Sequence, residues 1–303
     1  MGMSQSEGIA PSLSLEMLEI TGCQELEELP RLPSIRELEV DKFHEEVLGS
    51  IFKLTLLTYL CMFQNSKLTC LLEGFLQKLT ALEELQIADL GELTTLSNEI
   101  GLQNLQCLQR LEISGCLVLK ELPQSLYELS SLKELRVSNC PLLVSFPVTG
   151  LPSTLIILEI KDCEALLFLP EWKMHNNEVS PLLEYLVIED CPSLKSLPSG
   201  NLPSTLQKLE IHNCKNLGSL PGQMQSNICL EFFKISSCHS IMSFSEGTFG
   251  LSTVTSSTVM NLKELIISSC ANLESLPGGL HNLKSLDYFE SIIFLRYLMI
   301  LPC

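Results

Sequence analysis

A single phrase, L-x-x-L-x-I-x-x-C-x-x-L-x-x-L-P, recurs along the chain and restricts its fold more than any other feature. Leucine accounts for 63 of the 303 residues. From Cys116 to Cys270, successive copies are separated by 24, 23, 28, 23, 24 and 32 residues. Self-similarity at this period indicates a stack of repeated units. Eleven copies and a final partial one can be aligned, beginning at Leu15, Ile35, Leu57, Leu82, Leu108, Leu132, Leu155, Leu183, Leu206, Leu230, Leu262 and Leu295.

The chemistry of one copy predicts its shape. In L-x-x-L-x-I the apolar residues alternate, which is typical of a short strand with one buried face. The following Leu-x-x-Leu-Pro returns the chain across the back, where proline ends strand pairing. One copy cannot bury its own leucines, so copies must stack. We therefore predict an α/β solenoid: a leucine-rich-repeat horseshoe with a parallel β-sheet on the concave face and a back of irregular, 3₁₀ and short helical segments.

Departures from the phrase indicate loops and boundaries. We expect one repeat domain over residues 15–303, preceded by a short flexible tail at residues 1–14. Two polar insertions, residues 171–181 and 245–259, should bulge from the back or the rim. Residues 43–56 are the least regular, and register is expected to fail near Ser291, where an aliphatic residue is required. Because the last copy stops at Cys303, we expect a truncated product with poorly capped ends.

Cysteine recurs at one place in the phrase and fills an inward-facing position there. A thiol at this place is a small apolar group with a weak donor. The alternative is metal or redox chemistry, but the sequence contains no C-x-x-C motif. Thirteen cysteines without a signal peptide favour free thiols in the reducing cytoplasm. The predicted structural ladder comprises Cys23, Cys116, Cys140, Cys163, Cys191, Cys214, Cys238, Cys270 and Cys303.

Charge and motif content exclude several functions. Asp and Glu number 36 against 19 Lys and Arg, and a net charge of −17 disfavours nucleic acid as a partner. Charged residues interrupt every apolar run, so no membrane span is expected. The phosphate-loop, dinucleotide and nucleophile-elbow motifs do not occur. We therefore expect no enzyme activity, no cofactor and no catalytic or metal site.

The open face of the predicted sheet is the candidate site. Its middle column is rich in Glu, and the bulky apolar residues among the outward positions of the sheet are therefore candidates for contact with a protein partner. The alternative is that they only pack against neighbouring long side chains. The predicted partner-binding residues are Tyr185, Val187, Phe232, Ile157 and Ile266.

The phrases LEISGC…LKELP, LPSTLQKLEIHNC and LVIEDCPSLKSLP resemble the repeat region of plant intracellular nucleotide-binding leucine-rich repeat receptors, most closely the coiled-coil class. The resemblance covers residues 15–303 and implies a part in pathogen-effector recognition and autoinhibition. The implied partners are a pathogen effector or guarded host protein and the receptor's own nucleotide-binding domain. No residue here matches that domain's phosphate loop, so nucleotide binding cannot be assigned. A free-standing scaffold or ubiquitin-ligase substrate adaptor is the alternative function.

Overall fold

The computed structural model describes residues 15–65, 67–170, 172, 182–198, 202–220, 224, 228–244, 249 and 260–292. The predicted tail at residues 1–14 and the final partial copy, with Cys303, lie outside the described residues. So do the two predicted insertions, apart from Trp172 and Phe249.

The described chain forms one parallel sheet of twelve strands in sequence order. The described residues contain one α-helix, α1 (Leu48–Ile51), and short 3₁₀ turns at Glu45–Val47, Asn98–Ile100, Leu102–Asn104, Gln124–Glu128 and Leu280–Asn282. The strands are β1 (Met17–Ile20), β2 (Glu37–Asp41), β3 (Tyr59–Phe63), β4 (Glu84–Ala88), β5 (Arg110–Ser114), β6 (Glu134–Ser138), β7 (Ile157–Lys161), β8 (Tyr185–Glu189), β9 (Lys208–His212), β10 (Phe232–Ser236), β11 (Glu264–Ser268) and β12 (Tyr288–Ile292).

The apolar alternation of the phrase produces the sheet and its single buried face. Leu111 pairs with Leu135, and Leu135 with Leu158, so the leucines of successive copies stack directly on one another. All three are 3% exposed or less. Because consecutive strand residues point to opposite faces, the residues between the leucines face outward. The predicted solenoid with a parallel sheet is confirmed.

The back of the solenoid is held by a second, thinner ladder. Isolated parallel bridges join Glu121 to Ser145, Ser145 to Phe168, Phe168 to Ser196 and Ser196 to Ser219. These residues precede the Leu-Pro or Phe-Pro end of each phrase. The ladder stops at the proline because proline has no N–H to donate.

A left-handed turn follows each of the first eleven strands, and the sequence analysis did not predict it. Gly, Asn, Asp or Ser occupies the turn position in most copies, and Lys and Gln occupy it in the other two. At Gly115 an added Cβ atom would clash with the Asp89 carboxylate, so a larger residue fits there only if the Asp89 side chain moves. The turn residues are Gly22, Lys42, Gln64, Asp89, Gly115, Asn139, Asp162, Asp190, Asn213, Ser237 and Ser269.

One expectation about irregular segments needs correction. The register does not fail near Ser291, because β12 pairs with β11 and places Ser291 opposite Ile267. Backbone hydrogen bonds form the strand, and they do not depend on an aliphatic side chain. Residues 43–56 contain a 3₁₀ turn followed by α1, and these two elements bury Val47, Leu48 and Ile51 completely.

Candidate interaction surface

The outward residues of the sheet form three columns across the solenoid. Each five-residue strand contributes its first, third and fifth residues, and parallel pairing aligns them with the same places on the next strand. Adjacent strands are about 4.8 Å apart, so side chains in one column contact their neighbours. A partner approaching the sheet meets these columns first.

The first column brings two of the predicted residues together. Ile157 of β7 pairs with Tyr185 of β8, and Tyr185 is 37% exposed. Val187 lies two residues further along β8, between Glu159 and Glu210 on the neighbouring strands. Because alternate strand residues share a face, these three apolar side chains form one continuous area.

The other two predicted residues lie further along the sheet. Phe232 of β10 is two strands, or about 10 Å, from Tyr185. The strand between them carries Lys208, whose ammonium lies 5.2 Å from the centre of the Phe232 ring. Ile266 of β11 pairs with Lys234 and lies diagonal to Phe232 on the neighbouring strand, away from the other three.

We call Ile157, Tyr185, Val187 and Phe232 the central apolar patch. The packing alternative accounts for part of Phe232, because the Lys208 ammonium lies over its ring. It does not account for Tyr185, which is exposed.

Ion pairs between strands neutralise the charges around this patch. Glu210 accepts from Lys208 on its own strand at 3.0 Å and from Lys234 on β10 at 2.8 Å. Partial burial acts to raise the pKa of Glu210, but hydrogen bonds from Lys234 and Lys208 outweigh it and hold this pKa below its usual value. Lys161 similarly lies 3.7 Å from Glu189.

The pairing continues towards β4. Arg136 lies 3.3 Å from Glu134 and 3.6 Å from Glu159. Arg110 donates to Glu84 at 2.7 Å, and this hydrogen bond and the negative charge of Glu84 raise the pKa of the guanidinium.

A second, differently built area occupies β1 to β3, and the sequence analysis did not identify it as a site. Strand β2, with the sequence ELEVD, places Glu37, Glu39 and Asp41 in the three outward columns, where Glu37 is exposed, Glu39 is half-buried and Asp41 is buried. Glu19 of β1 pairs with Glu39 and adds a fourth carboxylate. We call these four residues the N-terminal acidic strip. Its signal in the sequence is three acidic residues at alternating positions in one strand.

Aromatic residues of β3 border this strip. The register places Tyr59, Cys61 and Phe63 beside Glu37, Glu39 and Asp41. Tyr59 Oη donates to Glu39 Oε1 at 3.2 Å. Burial, followed by the negative charges of Cys61 and Glu39, raises the pKa of the Tyr59 hydroxyl.

The Cys61 thiol lies among the same carboxylates, and they affect its pKa. Burial, together with the negative charges of Glu39, Glu112 and Glu84, raises its pKa to about 11, although the hydrogen bond with Tyr59 acts to lower it. The thiol is therefore protonated at neutral pH.

The ladder cysteines lie inside the turns that follow the strands. From Cys116 to Cys270 they are 2% exposed or less, and each donates to the carbonyl oxygen two residues earlier, as in the 3.3 Å contact from Cys163 to Lys161. A hydrogen bond with Cys191, together with burial, raises the pKa of the Cys163 thiol. The described cysteines are all free thiols.

Cys23 departs from the expected inward position, because it is exposed. Its turn follows β1, which has a neighbouring strand on one side only among the described strands. The thiol still donates to the Thr21 carbonyl at 3.5 Å. Cys23 therefore has the same turn hydrogen bond as the buried ladder cysteines, although its side chain is exposed.

Neither a metal site nor a membrane helix is found in the described residues. No group of three or more His, Cys, Asp or Glu side chains there is arranged to hold an ion. No helix in the same part of the chain is long and apolar enough to cross a membrane.

Comparison with solved structures defines the class of fold. The leucine-rich repeat domain of the type III effector XopL superimposes with a TM-score of 0.51 at 22% sequence identity, covering 92% of this chain and 76% of that one. The protein is therefore a leucine-rich repeat solenoid. No protein-family model matches the chain.

Sequence comparison identifies plant disease resistance proteins as homologues. One from Arabidopsis thaliana is 32% identical over 212 residues, which cover 68% of this chain. Disease resistance protein RPP4 of the same plant is 30% identical over 293 residues, covering 90% of this chain. Disease resistance protein RPS4B is 28% identical over 207 residues, covering 68%. The matches span only 14%, 24% and 16% of the lengths of these relatives.

Proposed function

We propose that this chain is the recognition module of a plant intracellular immune receptor of the coiled-coil class, and that it acts in the cytoplasm. In this proposal it has no catalytic activity and binds no cofactor. Its partners are a pathogen effector or a guarded host protein, and the nucleotide-binding domain of the parent receptor, which it restrains. The homology to disease resistance proteins supports the assignment to plant defence.

The observation that carries the proposal is the central apolar patch on an otherwise charged face. Ile157, Tyr185 and Val187 are contiguous, and the surrounding carboxylates are already paired with basic residues of the same sheet. Burying this patch against a partner gains apolar contact and requires little new charge pairing. An exposed tyrosine at its centre is the type of residue that most often carries binding energy at interfaces.

Site-specific photocrosslinking in infected plant tissue tests the proposal. The crosslinking residue replaces Tyr185 in one variant and Tyr127, on the back of the solenoid, in the control. The two tyrosines are matched, with exposures of 37% and 39%. We expect an infection-dependent adduct with a defined protein from position 185 only.

The same adduct should weaken when Val187 is truncated to Ala. The melting temperature should not change, because Val187 is only half-buried on the open face. Equal adducts from position 127, or an adduct unaffected by Val187→Ala, would contradict the proposed surface.

A further inference from the structure

Three of the four carboxylates of the N-terminal acidic strip have no basic partner among the described residues, and the fourth, Asp41, is near Lys42 alone. Neither Glu19 nor Glu37 forms an ion pair with any residue that the structure describes, and Glu39 contacts only the Tyr59 hydroxyl. Residues 1–14 contain no Lys or Arg that could supply one. The strip therefore carries negative charge that the described chain does not neutralise.

Asp41 provides a second and independent indication of a ligand. It is 7% exposed, and its Oδ1 atom is buried without a hydrogen-bond partner among the described residues. Only its Oδ2 atom is near a cation, at 3.9 Å from Lys42 Nζ. A buried carboxylate oxygen without a donor is costly, and a cationic donor from outside would remove that cost.

The aromatic border determines which cation fits. Tyr59 and Phe63 lie beside Glu37 and Asp41, so a bound cation would meet carboxylates and ring faces together. A guanidinium group suits this combination, because it binds carboxylates with two parallel hydrogen bonds and stacks on aromatic rings. A lysine ammonium would gain the charge interaction but not the planar contact.

The spacing along β2 determines how the cations are arranged. Glu37, Glu39 and Asp41 occupy alternate positions of a strand, so their Cα atoms are about 6.6 Å apart. Alternate residues of an extended peptide have the same spacing. We propose that the N-terminal acidic strip binds an extended protein segment with arginine at alternate positions, separately from the central apolar patch.

Fluorescence anisotropy with two labelled peptides tests this proposal. One probe is Gly-Arg-Thr-Arg-Thr-Arg-Gly, and the other is its permutation Gly-Arg-Arg-Arg-Thr-Thr-Gly, of equal charge and composition. We expect the alternating peptide to bind the full chain more tightly than the permuted one. A version with lysine in place of arginine should bind more weakly, and Tyr59→Leu should reduce that preference.

Matched variants separate the strip from general attraction to an acidic protein. Glu39→Gln and Asp41→Asn should each weaken the alternating peptide about tenfold. Glu112→Gln is the control, because Glu112 has the same column position on β5 and no ion pair among the described residues. Equal loss in Glu112→Gln and Glu39→Gln, equal affinity for the two peptides, or absence of binding would each overturn the proposal.

Binding of the alternating-arginine peptide to the N-terminal acidic strip is independent of the proposed receptor function. Glu39→Gln should not alter crosslinking from position 185, since β2 and β8 are six strands apart. An alternating-arginine peptide that fails to bind leaves the crosslinking test of the central apolar patch unaffected.

Discussion

Strands β2 and β9 share one internal design and differ in their outward residues. Strand β2 reads ELEVD and β9 reads KLEIH. Both bury their leucine and their β-branched residue completely. In β9, however, Glu210 lies between two lysines, whereas in β2 Glu39 lies among other carboxylates.

The difference shows that the solenoid does not require charge neutrality on its concave face. Exposed ion pairs contribute little to stability, and packing of the inward residues dominates. The outward columns are therefore available for recognition. The centre of the sheet has an apolar patch with paired surroundings, and β1 to β3 have unpaired charge beside aromatic rings.

The largest predicted effect tests whether the two strands share an interior. Leu209→Ala and Leu38→Ala should each reduce the free energy of unfolding by about 2–5 kcal/mol, because both leucines are fully buried. Urea unfolding followed by circular dichroism measures both. A small loss in Leu38→Ala alone would mean that the N-terminal turns are packed more loosely than the centre.

The cysteine ladder compares the same two regions by reactivity. In native protein, Cys23 should react with iodoacetamide at least about 100-fold faster than Cys214, which can react only after local opening. Mass spectrometry of the labelled peptides measures both reaction rates. Denatured, anaerobic protein should titrate as thirteen free thiols, and several disulfides would contradict the cytoplasmic assignment.

Charge reversals beside β9 and within β2 test whether the outward charges of these two strands affect stability. Lys234→Glu places a carboxylate directly opposite Glu210 and should destabilise the fold by up to about 1 kcal/mol. Glu39→Lys supplies the missing counter-charge in β2 and should stabilise by up to about 1 kcal/mol. Thermal melts at low salt measure both changes. If the melting temperature shifts in the same direction in both variants, local charge pairing does not determine these changes in stability.

The pH dependence of stability should also distinguish the regions. Because the pKa of Glu210 is lowered on folding, its carboxylate adds stability above the unfolded value, about 4.3, and this is lost as the pH falls through the folded pKa. Glu210→Gln should therefore lose less stability than the wild type between about pH 5 and pH 3. Glu112→Gln is the matched control, because it removes a carboxylate from the same column of the sheet without removing an ion pair between described residues. If the stability of Glu210→Gln depends on pH as that of the wild type does, the ion pairs of Glu210 do not contribute to the pH dependence.

The smallest effect concerns a single exposed lysine. Lys208→Ala should cost no more than about 0.5–1 kcal/mol, although it removes an ion pair and a cation–π contact. Comparison with Leu209→Ala in the same urea series checks the inward and outward assignment. Equal costs for these neighbouring residues would contradict it.

The sequence predicted the eleven repeated strands and their buried columns because the alternation of apolar residues is a local property of each copy. It also predicted which residues face outward, including Tyr185 and Val187. It missed the left-handed turns, although their signal, a short polar residue before each ladder position, was present. It misjudged Ser291, since a strand can be completed by backbone pairing alone.

The tertiary structure decided the arrangement of charges and neighbours on the concave face. Glu210 and Lys234 are 24 residues apart, and their contact depends on the register between two turns rather than on either copy. The same register places Tyr59 and Phe63 beside β2 and separates Tyr185 from Phe232 by one strand. The sequence by itself determined the repeated unit, because its signal is local. The stacking determined the two surfaces, because each depends on side chains that only the assembled sheet brings together.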